Sequence, residues 1–188
     1  MSIKSRLGRA GSILAAAVVL GGVGSAAMAG AASAAPAAAG HPALPPLRGC
    51  AIKTVDGHYL TAVDGGGRIT DVLHTNATIV QSWEKFALVD TGTGGSIPYY
   101  GIKTVNGHYL TAVGAGGRST DVIHSDATQL QSWEKFRFNP LGGNVYDIQT
   151  YNGHFLTAVG GGNRITDTIH SDAIRVGSWE RFTVVCGF

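Results

Sequence analysis

The sequence predicts an all-β domain with internal three-fold repetition, and three observations support this. One unit recurs three times. Glycine, at 28 of 188 residues, punctuates short β-rich runs that show no helical period. The two cysteines, Cys50 and Cys186, lie just outside the first and last copies. The unit opens as Gly57-His58-Tyr59-Leu60-Thr61-Ala62-Val63, continues to Asp71-Val72-Leu73-His74 and closes on Ser82-Trp83-Glu84-Lys85-Phe86. The second copy runs from Gly107 through Asp121-Val122-Ile123-His124 to Ser132-Trp133-Glu134-Lys135-Phe136. The third runs from Gly153 through Asp167-Thr168-Ile169-His170 to Ser178-Trp179-Glu180-Arg181-Phe182. The copies are offset by 50 and then 46 residues.

Each unit reads as four short strands. In the first copy these cover residues 51–54, 59–63, 68–74 and 83–89. A tight turn over residues 55–58 carries Asp56-Gly57, matched by Asn106-Gly107 and Asn152-Gly153, dipeptides that tolerate positive φ and favour hairpins. Residues 64–67 form a glycine-rich connection and residues 75–82 a loop. Four strands in three copies make twelve. A solenoid of three repeats needs end caps, and a propeller needs more blades of this size. A twelve-stranded β-trefoil closes with three units of this length and brings its ends together. The expected repeats span about 51–100, 101–146 and 147–186. Ile52, Leu60, Ala62, Leu73 and Phe86 have equivalents of the same kind in each copy and are expected to face the core. Trp83 is expected to wall the base of the barrel, and Glu84 to accept hydrogen bonds from a neighbouring turn.

The start of the chain is expected to lie outside the fold. Lys4, Arg6 and Arg9 precede an apolar run over residues 13–20, and Ala32-Ser33-Ala34 fits a cleavage site, so residues 1–34 read as a secretory signal peptide rather than a membrane span. Residues 35–48 read as an Ala/Pro-rich tail and residues 49–188 as one domain. The whole chain has 14 Lys+Arg and 12 Asp+Glu. Three of the basic residues belong to the leader, so the mature chain carries 11 against 12, a net charge of −1. That balance argues against a polyanion-binding surface, and nucleic acid is not expected as a partner. An even pair of cysteines in an exported chain reads as a disulfide, here Cys50–Cys186, joining the start of the domain to its end.

The pattern G-H-Y-L-T-A followed by W-E-x-F resembles the repeat of the fascin-like and hisactophilin-like β-trefoils, and the exported chain is similar to the small secreted trefoil lectins, or haemagglutinins, of actinomycetes. That resemblance covers residues 51–185 and implies the trefoil fold. The superfamily includes actin-binding proteins, sugar-binding modules and secreted lectins, and fold alone does not choose among them.

The polar positions that stay fixed are the candidates for function. Arg68, Thr70, Asp71 and His74 recur as Arg118, Thr120, Asp121 and His124, and as Arg164, Thr166, Asp167 and His170. Residues 78–81 beside them differ freely between copies. A carboxylate accepting from sugar hydroxyls, a histidine, an amide and an aromatic face suit a neutral, hydroxyl-rich ligand. In ricin-type trefoil lectins the pocket lies between the second strand and the loop after the third. The resemblance then implies carbohydrate contacts at Asp71, His74, Asn76 and Tyr59. Their equivalents are Asp121, His124, Asp126 and Tyr109, and Asp167, His170, Asp172 and Phe155. Thr61 and His58 lie nearby in the same analogy. The structural alternative is that Asp71 and His74 pair with each other in a tight loop. His58, His108 and His154 follow the turn glycine and are expected at the surface.

The expectation is a secreted, extracellular monomer with three related sugar sites of galactose or rhamnose type, able to agglutinate glycan-coated surfaces. Catalysis is not expected, because a single active site is rarely assembled from residues present three times. No cofactor is called for, and no C-x-x-C or H-x-x-x-H pattern supports a metal site. The alternative function is a protein-binding trefoil, an inhibitor or a fascin-like module. Its candidate contact is the loop over residues 91–100, which has no close counterpart after the second repeat.

Overall fold

The computed structural model of the protein describes residues 47–188. Residues 1–34, read from the sequence as a signal peptide, and most of the stretch expected as an Ala/Pro-rich tail lie outside those residues. Twelve strands follow in chain order. They are β1 (Leu47–Lys53), β2 (Tyr59–Ala62), β3 (Leu73–Ala77) and β4 (Phe86–Asp90) in the first repeat. The second repeat supplies β5 (Tyr99–Lys103), β6 (Tyr109–Ala112), β7 (Ile123–Ala127) and β8 (Phe136–Gly142). The third supplies β9 (Val145–Gln149), β10 (Phe155–Ala158), β11 (Ile169–Ala173) and β12 (Arg181–Cys186). β1 begins at Leu47, so Leu47 and Arg48 belong to a strand and not to the tail.

The first and fourth strands of the repeats close into a six-stranded antiparallel ring. β1 pairs with β4, β4 with β5, β5 with β8, β8 with β9, β9 with β12, and β12 with β1. The second and third strands form three hairpins, β2–β3, β6–β7 and β10–β11. A closed ring leaves no barrel edge to pair with another chain. This is the β-trefoil architecture expected from the repeat count. The register β1–β12 places Cys50 opposite Cys186, and the two form a disulfide spanning 136 residues of sequence.

The core is built from the repeated apolar positions. Ile52, Ile102 and Ile148, Leu60, Leu110 and Leu156, and Phe86, Phe136 and Phe182 are all at most 2% exposed. Each such side chain contributes roughly 1.5–3 kcal/mol by leaving water. Ala62, Leu73 and their equivalents are also buried, so the five core positions proposed from the sequence all face inward in every copy.

Two strand boundaries need correction. The third strand starts at Leu73, not at residue 68. Residues 68–72 fold as a bent connection, because Asp71 takes a left-handed φ of 48° that no strand accommodates. The alternation Arg-Ile-Thr-Asp-Val mimics a strand, yet Ile69 is exposed and Val72 and Leu73 are both buried, which breaks the period of two. The fourth strand starts at Phe86, because residues 82–85 form a turn closed by Lys85 N–H donating to the Ser82 carbonyl at 3.3 Å.

The repeats interlock in a cycle. The bent segment of one repeat lies along the third strand of the next: Ser125 N–H donates to the Arg68 carbonyl, Ser171 N–H to that of Arg118, and Thr75 N–H to that of Arg164, each at 2.8 Å. The buried Thr75, Ser125 and Ser171 hydroxyls bond across the same seam. No helix among the described residues is long and apolar enough to cross a membrane.

Candidate functional site

The bent segment of each repeat presents the recurring polar set of the unit. Asp71, Asp121 and Asp167 hold φ values of 48–49°. Aspartate tolerates this region better than most residues, because its short side chain bonds locally. The turn aims each carboxylate back at the histidine three residues on. Asp71 Oδ1 lies 2.7 Å from His74 Nε2, and the Asp121–His124 and Asp167–His170 pairs have the same separation. The second oxygen faces an arginine: Arg118 Nη2 and Arg164 Nη2 each lie 3.4 Å from their aspartates, and Arg68 Nη2 lies 3.6 Å from Asp71. Arg68 also pairs with Asp64, where the other repeats have Gly114 and Gly160. The pairing expected under the structural alternative is therefore present. The carboxylates remain about half exposed, so each is fixed in direction and open to solvent.

The three bent segments converge. Residues 69–73, 119–123 and 165–169 line one recess of about 570 Å³. The three aspartates, one from each repeat, are part of its wall. Exposed Ile69 and Ile165 stand on it, with Ser119 in the equivalent place in the second repeat.

The other proposed contacts do not line that recess. Asn76, Asp126 and Asp172 are exposed on β3, β7 and β11, two residues beyond the histidines. Tyr59 and Tyr109 are half-buried, and Lys53 Nζ and Lys103 Nζ sit 5.4 and 5.2 Å from their ring centroids. Those rings already carry cation–π partners. Phe155 has Gln149 opposite it instead. Thr61 is buried and donates to Glu84, so it is not a surface contact. His58, His108 and His154 are not free surface groups either: their Nδ1 atoms are buried without a hydrogen-bond partner. The rings of His108 and His154 pack over Gly67 and Gly117 of the preceding repeat, where an added Cβ would lie 3.4–3.5 Å away. Among the described residues no three His, Cys, Asp or Glu side chains converge as a metal site.

Sequence reasoning missed the tryptophans. Trp83, Trp133 and Trp179 do not wall the barrel; they are 43%, 46% and 47% exposed. Their carbonyls accept from Ala62, Ala112 and Ala158 N–H at 2.8–2.9 Å, which fixes the backbone beside the second strand and turns the indole outward. The neighbouring glutamate is the buried member of each pair. Glu84 accepts from the Thr61 hydroxyl at 2.7 Å and from Gln81 N–H at 2.8 Å. Beside Trp133, a cavity of about 350 Å³ is lined by Thr128, Gln129, Gln131 and Ser132. The strand begins only at Phe86, which puts the tryptophan in a turn rather than in the strand expected over residues 83–89.

The chain has the fold of the solved β-trefoils. It superposes on ThreeFoil, a designed 3-fold symmetric protein, with a TM-score of 0.60 and 15% identity, covering 72% of this chain and 96% of that one. It matches the Rhizoctonia solani agglutinin with a TM-score of 0.59 and 13% identity, over 78% of this chain and 100% of that one. It also matches part of 1,3Gal43A, an exo-beta-1,3-galactanase from Clostridium thermocellum, with a TM-score of 0.63 and 15% identity. There it covers 78% of this chain but spans only 31% of the galactanase. At these identities the likeness is one of fold. No protein-family model matches the chain, and no curated protein matches it.

Proposed function

We infer that the protein is a secreted, extracellular carbohydrate-binding lectin with three related sites, one contributed by each repeat. The observation that carries this reading is the three-fold recurrence of one exposed, pre-set polar group. In each copy an aspartate, fixed at 2.7 Å from its histidine and flanked by an arginine, keeps a half-exposed carboxylate. Ionised acceptors held in place make strong hydrogen bonds to neighbouring hydroxyls without a fresh ordering cost. The groups assigned to binding are Asp71, His74, Asn76 and Tyr59, with their equivalents Asp121, His124, Asp126, Tyr109, Asp167, His170, Asp172 and Phe155.

Single shallow sites bind weakly, and three on one rigid body raise avidity on a glycan-coated surface. Galactose-type sugars and deoxy sugars such as rhamnose are the proposed ligands, agglutination the proposed outcome, and the fascin-like and actinomycete lectin repeat the proposed kinship. The disulfide supports export, since such bonds persist in oxidising compartments. A glycan array on the mature protein tests the reading, and binding to no glycan contradicts it.

A second reading, protein recognition, draws on the loop after β4. It is tied by Thr91 N–H to the Tyr99 carbonyl at 3.0 Å and by Tyr99 N–H to that of Thr93 at 2.8 Å. An ordered, asymmetric loop is what a trefoil inhibitor uses. A partner retained by the intact protein, and lost when residues 92–97 are replaced, supports this reading over the first.

A further inference from the structure

Trp83, Trp133 and Trp179 are the only tryptophans in the chain, and all three present their indoles to solvent. The fold covers a little more than half of each tryptophan and leaves the rest of the indole to solvent. What the barrel takes from the residue is its carbonyl, bonded to the second strand, and any amino acid supplies that. The indole is held out by a rigid support. Beneath Trp133, the buried carboxylate of Glu134 accepts from the Thr111 hydroxyl and from Gln131 N–H, both at 2.8 Å. The third repeat repeats the lock through Thr157 at 2.8 Å and Gly177 N–H at 2.6 Å.

The cavity beside Trp133 joins that apolar face to neutral polar groups: the Thr128 and Ser132 hydroxyls and the Gln129 and Gln131 amides. Glu134 also borders it, yet both its oxygens are already bonded within the protein. A lining with a flat aromatic face, several neutral donors and acceptors and no unbonded charge matches one ligand chemistry. That ligand is a pyranose ring, with an apolar C–H face and a rim of hydroxyls. A volume near 350 Å³ falls within the range of small-ligand pockets. The tyrosines are less available for stacking, because Lys53 and Lys103 lie against Tyr59 and Tyr109.

We propose that the tryptophans form the sugar-stacking platforms, and that the second repeat holds the strongest of them. This rests on the lectin reading and changes which residues carry it. The repeats differ where it matters. The first has Ile79 in place of Gln129; the third has Ile174, Arg175 and Gly177 in place of Thr128, Gln129 and Gln131. Exposed Ile79 makes the first shelf more apolar, and the third trades neutral polar groups for exposed Ile174 and the charged Arg175. The positions that vary between repeats therefore set the differences in specificity. Each platform lies across the second strand from the Asp–His pair. Ala112 bonds to Trp133 on one side and pairs with Ile123 on the other, so the backbones that carry the two groups flank the same strand.

The test uses the mature protein carrying Trp83→Phe and Trp179→Phe, in which Trp133 is the only tryptophan. Titration with lactose and with L-rhamnose is followed by tryptophan emission and by calorimetry, alongside a glycan array. The expected result is a saturable emission change with at least one sugar. In the otherwise native protein, Trp133→Ala is expected to weaken the tightest site at least tenfold while the protein stays folded at the temperature of the titration. Calorimetric sugar binding that leaves Trp133 emission and the Trp133→Ala affinity unchanged overturns the proposal and leaves the lectin reading standing. No binding to the array or to either sugar overturns both.

Discussion

The hydroxyl of Thr111 donates a 2.8 Å hydrogen bond to Oε1 of Glu134, and both groups are buried. The same bond joins Thr61 to Glu84 and Thr157 to Glu180. It ties the second strand of each repeat to the turn that displays the tryptophan. Thr111→Val keeps the shape and removes the donor, which leaves a buried carboxylate oxygen short of a partner. We expect a loss of about 1–3 kcal/mol in urea unfolding. A Thr111→Val protein as stable as the parent contradicts the lock.

The repeats also meet through a glycine that has no room for a side chain. Gly116 has φ of 108°, and a Cβ there would lie 2.3 Å from Thr150 Oγ1. Gly66 stands in the same relation to Thr104, and Gly162 to Thr54. Gly143 also has positive φ but faces open space. Gly143→Ala is expected to cost about 1–2 kcal/mol from backbone strain alone. Gly116→Ala is expected to cost clearly more, because a backbone region open almost only to glycine (φ 108°, ψ −175°) adds to the clash with Thr150. Equal losses in paired denaturation curves would contradict the close approach at the seam.

The Cys50–Cys186 disulfide closes a loop of 136 residues. Breaking it with the Cys50→Ser/Cys186→Ser double change is expected to cost about 2–5 kcal/mol. The ring of strands passes through this point, so loosened ends weaken the β1–β12 pairing directly. Unfolding with and without reductant reports the same effect in the unaltered protein.

Much of this fold was legible in the sequence for a simple reason: three copies constrain one another. Ile52, Leu60 and Phe86 mark the core in each repeat, and the count of three fixes the closure. What could not be read was the path of residues 68–72 and 82–85. Arg68 to Val72 alternates like a strand, but the left-handed Asp71 bends it, and backbone sign is not visible in hydropathy. The same limit hid Trp83. An indole looks like core by composition, and only the position of the turn sends it outward. The Asp–His pairs were legible as a unit, but the convergence of the three aspartates on one recess depends on how the three repeats pack.

Two buried ionisable groups give the stability a defined pH dependence. Burial pushes the Asp147 carboxyl up from its ordinary value of 3.8, and the hydrogen bond from Asn139, at 2.6 Å, pulls it partly back. The folded state thus holds this proton more tightly than the unfolded state. The contribution favours folding below pH 3.8 and is lost as pH rises through the raised value. Asp147→Asn is therefore expected to stabilise the protein near neutral pH, with a gain that fades in acid. Tyr100 follows the same sign at the alkaline end. Burial first, then the Asp90 carboxylate and Tyr146, push it from 10 up to about 12. Its contribution is lost as pH rises through that value, and ultraviolet titration should show one of the six tyrosines ionising late.

The most direct test of the account is the number of sugar sites and their dependence on the repeated residues. The aspartates sit at positive φ, so asparagine is the appropriate replacement, since it tolerates that backbone where alanine does not. Calorimetry with a glycan selected from the array is expected to give close to three sites per chain. Asp71→Asn, Asp121→Asn and Asp167→Asn are each expected to weaken agglutination in part, and the triple change to abolish it. One site per chain, lost entirely through Asp121→Asn alone, would contradict the three-site account.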